Sequence, residues 1–154
     1  MKARVAHPQL QTNPISMTTS QLLRVDDPLL RALSSLARLY GWRLLVLFGS
    51  AARGEPARDL DLAVLPAVMP SLLAQGAWQA ALEERLAPWP VDLLVLSDGT
   101  SPVARFEVFC RGICLYESEP GLFDREQDRA FFLYADSESI RRQMREVLYA
   151  RPQP

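Results

Sequence analysis

Several residue types that support common protein functions are almost missing from this 154-residue sequence. It has one histidine, His7, and two cysteines, Cys110 and Cys114, too few for a zinc site with four such ligands. Two isolated thiols are more typical of structural burial than of redox chemistry, and they indicate a reducing, cytoplasmic environment. No apolar run approaches the roughly 18 residues of a membrane-spanning helix, so no membrane partner is expected.

A strong positive charge is also missing. Seventeen basic residues stand against 18 acidic ones, giving a formal net charge of −1, and Lys2 is the only lysine. General nucleic-acid binders usually carry a clear basic excess, because they neutralise backbone phosphates. The charge balance therefore argues against direct binding of nucleic acid.

The hydrophobic pattern predicts alternating helices and strands. A helix is expected between Asp27, as its N-cap, and the stop signal at Gly41, with Pro28 at its first position. Further helical patterns cover residues 70–88 and 101–112. Four predicted strands cover residues 42–49, 59–66, 89–97 and 113–118. The first is a continuous apolar run, the second alternates before it becomes apolar, the third is a buried strand interrupted by one carboxylate, and the last is an edge strand.

This order predicts one α/β (α+β) domain, residues 27–150, with a mixed sheet of about four strands flanked by helices. A charged helical pattern over residues 122–150 predicts one long C-terminal helix. Its apolar residues favour packing in the core over docking to a helical partner, although both interpretations remain open. Residues 1–26 predict a loosely ordered leader and residues 151–154 a tail.

The stretch LFGSAARGEPARDLDLAVL, residues 47–65, contains two aspartates spaced one apart. Side chains alternate across a strand, so Asp59 and Asp61 would point to one face. Like charges this close repel unless a cation or a proton intervenes, and such hard oxygen ligands suit Mg²⁺. Asp92 interrupts the third apolar run and could face the same pocket if its strand is a neighbour. A lone pair of this kind is more often an exposed-face feature, so the argument depends on all three aspartates together.

A turn at Gly49 and Ser50 directly follows the first strand. Glycine lets the backbone approach a bulky ligand, and a helix beginning here would favour phosphate at its N-terminus. The Gly-Lys-Ser/Thr ending of a Walker loop is absent. Arg53 could neutralise phosphate or brace the turn against the acidic pair. We assign Gly49, Ser50 and Arg53 to substrate binding, because their order with the aspartates favours metal-assisted transfer at phosphorus.

The segments GSAARG and DLDLAVL resemble a known signature, Gly-Ser-x-Ala-Arg-Gly followed by Ser-Asp-x-Asp-Leu, of the polymerase-beta-like nucleotidyltransferases. Within that superfamily, residues 28–118 resemble the minimal nucleotidyltransferase domain of the MNT or MntA type. Arg58 departs from the pattern, which usually has serine before the first aspartate. A positive charge there could pair with Asp59 or contact phosphate.

The resemblance implies that Gly49 and Ser50 hold a triphosphate, while Asp59, Asp61 and Asp92 bind one or two Mg²⁺ ions and form the catalytic triad. It also implies that Asp92 helps to deprotonate the acceptor. Proteins of the MntA type are antitoxins that transfer AMP from ATP to a tyrosine of a HEPN-domain ribonuclease toxin. Transfer to a small molecule such as an aminoglycoside, and a binding-only antitoxin that occludes its toxin, are the alternatives.

Overall fold

The computed structural model describes residues 28–150. The predicted leader, the predicted cap at Asp27 and the predicted tail lie outside these residues. In chain order the elements are α1 (Pro28–Tyr40), β1 (Trp42–Phe48), α2 (Gly49–Ala52), β2 (Leu60–Pro66), α3 (Leu72–Leu86), β3 (Val91–Val95), α4 (Pro102–Arg111), β4 (Ile113–Glu117), α5 (Leu122–Asp136) and α6 (Glu138–Tyr149). The α/β class and the four strands are confirmed. None of the described helices is long and apolar enough to cross a membrane.

The four strands form one mixed sheet in the order β3-β2-β1-β4. β1 is antiparallel to β2 and β4, whereas β2 is parallel to β3. Phe48, the last residue of β1, pairs with Asp61, and Asp61 pairs with Asp92. The C-terminal end of β1 and the N-terminal ends of β2 and β3 therefore meet at one end of the sheet.

Helices cover both faces of the sheet. α1 and α3 bury a core that includes Trp42 and Trp78, whose ring centroids are 5.4 Å apart. α4 and α5 bury a second core around Phe109 on the opposite face. Leu60 and Leu62 point into the first core, so strand alternation places the Asp61 side chain on the α4 and α5 face. Burial of each large apolar side chain stabilises this frame by about 1.5–3 kcal/mol.

The prediction of one long C-terminal helix is wrong, because the helix breaks between α5 and α6. Ser137 lies at the break with φ −81° and ψ 0°, and its Oγ donates a hydrogen bond to the Tyr134 carbonyl at 2.8 Å. A serine side chain that bonds the preceding backbone competes with helix continuation. Core packing, the favoured interpretation, holds for α5, where Leu122 and Ala130 are buried. It fails for α6, which has no buried residue.

The predicted second strand begins one residue too early. Asp59 precedes β2, which starts at Leu60. The reason lies in β1, whose last residue, Phe48, already pairs with Asp61. The chain then turns at Gly49 into the four-residue helix α2, which leaves Asp59 without a neighbouring residue of β1.

Candidate active site

The three predicted aspartates come to the same end of the sheet. Asp61 is the second residue of β2 and Asp92 the second residue of β3, and the two are paired across parallel strands. Asp59 lies in the chain just before β2. Asp61 is half-buried, whereas Asp59 and Asp92 are exposed to solvent. The strands of Asp61 and Asp92 are thus neighbours, and a ligand can reach the carboxylates from outside.

Gly49 lies directly against Asp61. Its φ is +71°, in the left-handed region that residues with a side chain rarely adopt. A Cβ at this position would lie 2.9 Å from Asp61 Cγ and closer still to Oδ2. Ser50, which is half-buried, follows in α2. The turn and the acidic strand end therefore form one site, and only glycine fits at their contact.

The carboxylate of Asp61 has a raised pKa. Burial raises its pKa, and the negative charges of Asp59 and then Asp92 raise the pKa further, while Arg53 opposes the shift. A cation would relieve this repulsion, and carboxylate oxygens are the ligands that Mg²⁺ prefers. The chemistry of the donor set therefore fits magnesium. Among residues 28–150, no three His, Cys, Asp or Glu side chains are grouped closely enough to form a metal centre.

Arg53 pairs with two glutamates. Its Nε and Nη2 donate hydrogen bonds to the two carboxylate oxygens of Glu55 at 3.0 and 3.2 Å. Its Nη1 lies 3.9 Å from Oε2 of Glu107. The hydrogen bond to Glu55, followed by the charges of Glu55, Glu107 and Asp61, raises the pKa of Arg53. Arg53 is therefore braced by glutamates and not, as one interpretation of the sequence had it, by an ion pair with Asp59 or Asp61.

Two further positions complete the surroundings of the turn. Arg58 is exposed and has no ion-pair partner within the described part of the chain, so it does not pair with Asp59. Glu107, on α4, was not identified from the sequence. No local motif surrounds it, and only the packing of α4 on the sheet brings it to Arg53. A search for charged residues one helical turn apart would have found its pair with Arg111 alone.

A family model matches the region that carries this site. The polymerase beta nucleotidyltransferase model matches residues 35–121, more than half of the chain. Every candidate site residue lies within this range. No curated protein matches the chain.

Solved structures share the fold. A toxin–antitoxin crystal structure with AMP-PNP is 24% identical, with 79% of this chain and 98% of that chain covered and a TM-score of 0.67. The tri-AMPylated Shewanella oneidensis HEPN toxin in complex with MNT antitoxin is 22% identical, with coverages of 79% and 97% and a TM-score of 0.64. A MntA–HepT toxin–antitoxin structure is 22% identical, with coverages of 79% and 97% and a TM-score of 0.63. At these identities the likeness establishes the fold.

Proposed function

Because this chain belongs to the polymerase beta nucleotidyltransferase family, we propose that it is the antitoxin of a HEPN/MNT toxin–antitoxin pair. It transfers AMP from ATP to a tyrosine of a HEPN-domain ribonuclease and so neutralises that toxin. The observation that carries the proposal is the juxtaposition of Asp61, Asp92 and Gly49 at one end of the sheet. The relatives with AMP-PNP and with a tri-AMPylated HEPN toxin support ATP as substrate and a protein as acceptor.

Each site residue has a role in the proposed transfer. Asp59, Asp61 and Asp92 would hold one or two Mg²⁺ ions, each of which needs only one or two carboxylates beside phosphate and water, and the metal would offset the charge of the triphosphate. Gly49, Ser50 and Arg53 would bind the triphosphate, since they form the turn that lies beside Asp61. Asp92 accepts the proton of the tyrosine hydroxyl. A bond forms between the hydroxyl oxygen and the α-phosphorus, the bond from this phosphorus to the pyrophosphate oxygen breaks, and pyrophosphate leaves.

The surface of α6 supports a protein acceptor over a small molecule. Ile140, Met144, Val147 and Leu148 lie on one face of this helix and are between 56% and 78% exposed. Contiguous apolar surface of this kind usually marks an interaction site. We therefore propose that this face of α6 contacts the toxin.

The proposal extends to the domain organisation of the protein, its location in the cell and the chemical class of its acceptor. We propose that residues 27–150 are one catalytic domain, and the single sheet formed by all four described strands supports this. Free thiols at Cys110 and Cys114 support a cytoplasmic location. The net charge of −1 supports an acceptor other than nucleic acid.

The test is label transfer from α-labelled ATP, with Mg²⁺, to a purified HEPN-domain ribonuclease from the same genome. The intact protein is expected to label the ribonuclease and abolish its activity. Combining Asp59→Asn with Asp61→Asn is expected to reduce labelling by about a hundredfold or more, because these side chains act on the reacting phosphate. Glu84→Gln, which removes an exposed carboxylate from α3, is the control and should label normally.

Three results would contradict parts of the proposal. Undiminished labelling by the double variant would refute the role of the aspartates. Labelling of an aminoglycoside but of no protein would favour the small-molecule alternative. Neutralisation of the ribonuclease by the double variant without ATP would favour a binding-only antitoxin.

A further inference from the structure

Glu107 connects the candidate site to the rigid part of the fold. Its two carboxylate oxygens face different arginines, with Oε1 accepting a hydrogen bond from Arg111 Nη1 at 2.9 Å and Oε2 lying 3.9 Å from Arg53 Nη1. We propose that Glu107 is a positioning residue for nucleotidyl transfer, which holds the guanidinium of Arg53 beside the Gly49–Ser50 turn. This inference rests on the proposed function, because it assigns Arg53 to the binding of the nucleotide triphosphate.

The backbone of Arg53 is already attached to the turn. Its N–H donates to the carbonyls of Gly49 and Ser50 at 3.3 and 3.2 Å. Its side chain is 38% exposed, and a long exposed arginine samples many rotamers unless its donors are engaged. The backbone hydrogen bonds therefore fix the position of the Arg53 Cα, and the contacts of the side chain determine where the guanidinium lies.

Two glutamates share the donors of Arg53 unequally. Glu55 accepts from Nε and Nη2, which leaves Nη1 pointing towards Glu107. Glu55 is exposed and belongs to the same turn as Arg53. It therefore moves together with Arg53 and does not fix the position of the guanidinium relative to the sheet. Glu107 precedes Val108 and Phe109, both fully buried in the core of α4 and α5. Glu107 is therefore the partner that holds the guanidinium of Arg53 in a fixed position relative to the sheet.

Arg111 strengthens this arrangement from the other side. It lies one helical turn after Glu107 and binds the oxygen that Arg53 does not use. Its guanidinium also lies over the Phe106 ring, 5.6 Å from the centroid. The Glu107 carboxylate is thus held in one orientation, with its free oxygen directed at Arg53. Loss of the Glu107 charge would leave the guanidinium of Arg53 held by Glu55 alone.

The experiment compares the steady-state kinetics of Glu107→Gln, Arg53→Gln and the double variant with those of the wild type. Glu107→Gln is expected to raise the KM for ATP about three- to tenfold and change kcat by less than about twofold, because Arg53 binds the triphosphate throughout the reaction. The double variant is expected to match Arg53→Gln alone, since Glu107 acts through Arg53. Glu84→Gln is the control carboxylate and should change neither constant.

Direct binding of labelled ATP with Mg²⁺ to the same five proteins, including the Glu84→Gln control, separates this inference from the proposed function. Wild-type protein that binds ATP but transfers no label contradicts the proposed function, while weaker ATP binding by Glu107→Gln still supports the positioning role. Unchanged binding by Glu107→Gln, or additive losses in the double variant, would overturn the inference alone. If the wild type does not bind ATP, both proposals are wrong. If Glu107→Gln does not fold, Glu107→Asp keeps the charge and is expected to bind ATP with an intermediate affinity.

Discussion

Replacement of Gly49 by alanine tests the contact on which the candidate site depends. The new methyl group would meet two obstacles, a backbone with φ +71° and the carboxylate of Asp61, whose Cγ would lie 2.9 Å away. Gly54 and Gly41 have φ of +72° and +68°, with nothing within 4 Å of an added Cβ. Alanine at these two positions therefore reproduces the backbone strain without the collision, and the three variants form a matched series.

The expected costs follow from these two obstacles. A left-handed conformation costs alanine about 1–2 kcal/mol, of which about 0.4–1 kcal/mol is offset by the smaller entropy of the unfolded chain. Gly41→Ala and Gly54→Ala should therefore each lower the free energy of unfolding by about 1 kcal/mol. In Gly49→Ala the Asp61 side chain must also leave its rotamer or the backbone must shift, which costs about 1–3 kcal/mol more. The total for Gly49→Ala is about 2–4 kcal/mol.

Urea denaturation measures the stability of each variant by linear extrapolation, and label transfer from ATP measures activity. Gly49→Ala should lose about a hundredfold in transfer, because it displaces a reacting group by an ångström or more, while Gly54→Ala should remain active. Adding Asp61→Ala to Gly49→Ala should restore the steric part of the stability but no activity. A free energy of unfolding for Gly49→Ala within about 0.5 kcal/mol of that for Gly54→Ala would refute the contact.

Charges and thiols elsewhere in the described chain give three further expectations. Asp61→Asn should raise the free energy of unfolding at pH 7 by about 1 kcal/mol without metal, since it removes a half-buried, repelled charge. This gain should shrink as the pH falls towards 3.8, because folded wild type takes up its proton before the unfolded chain does. Glu126→Ala should lower the free energy of unfolding, measured by urea denaturation, by about 3 kcal/mol, because the buried Arg105 guanidinium loses its carboxylate partner at 3.5 Å. Glu119→Ala removes a carboxylate from an exposed ion pair and should lower it by less than about 1 kcal/mol. Burial raises the pKa of the Cys114 thiol to about 11, so its alkylation followed by mass spectrometry should be slow at pH 7 and accelerate as the pH approaches that value.

The strands could be predicted from the sequence because burial on both faces leaves a local signal. Residues 44–47 of β1 are at most 2% exposed, and the continuous apolar run at these positions predicts this burial. The pairing of Asp61 with Asp92 leaves no such signal. It depends on the register of two parallel strands that are separated in the chain by α3. The sequence could therefore predict the shared pocket only on the condition that the strands are neighbours.

The break at Ser137 and the role of Glu107 were missed for different physical reasons. Ser137 interrupts a helical pattern without glycine or proline, through one hydrogen bond from its own side chain. Serine at this position is compatible with either outcome, so the pattern alone does not decide it. Glu107 lies more than 50 residues from Arg53 in the chain, and only the crossing of α4 over the sheet joins them. Local patterns thus predict elements well and long-range ion pairs poorly.

The strongest physical argument for a functional site is that its features are unfavourable for stability. Asp61 is partly removed from water beside two other carboxylates, and Arg53 only partly offsets this repulsion. The neighbouring turn adds a glycine in the left-handed region at the point of closest contact with the same carboxylate. Selection for packing alone would replace Asp61 with a neutral residue, which would remove both the repulsion and the need for close steric accommodation. The charge and the glycine meet at one carboxylate, and groups retained at a cost to stability are those expected to carry chemistry.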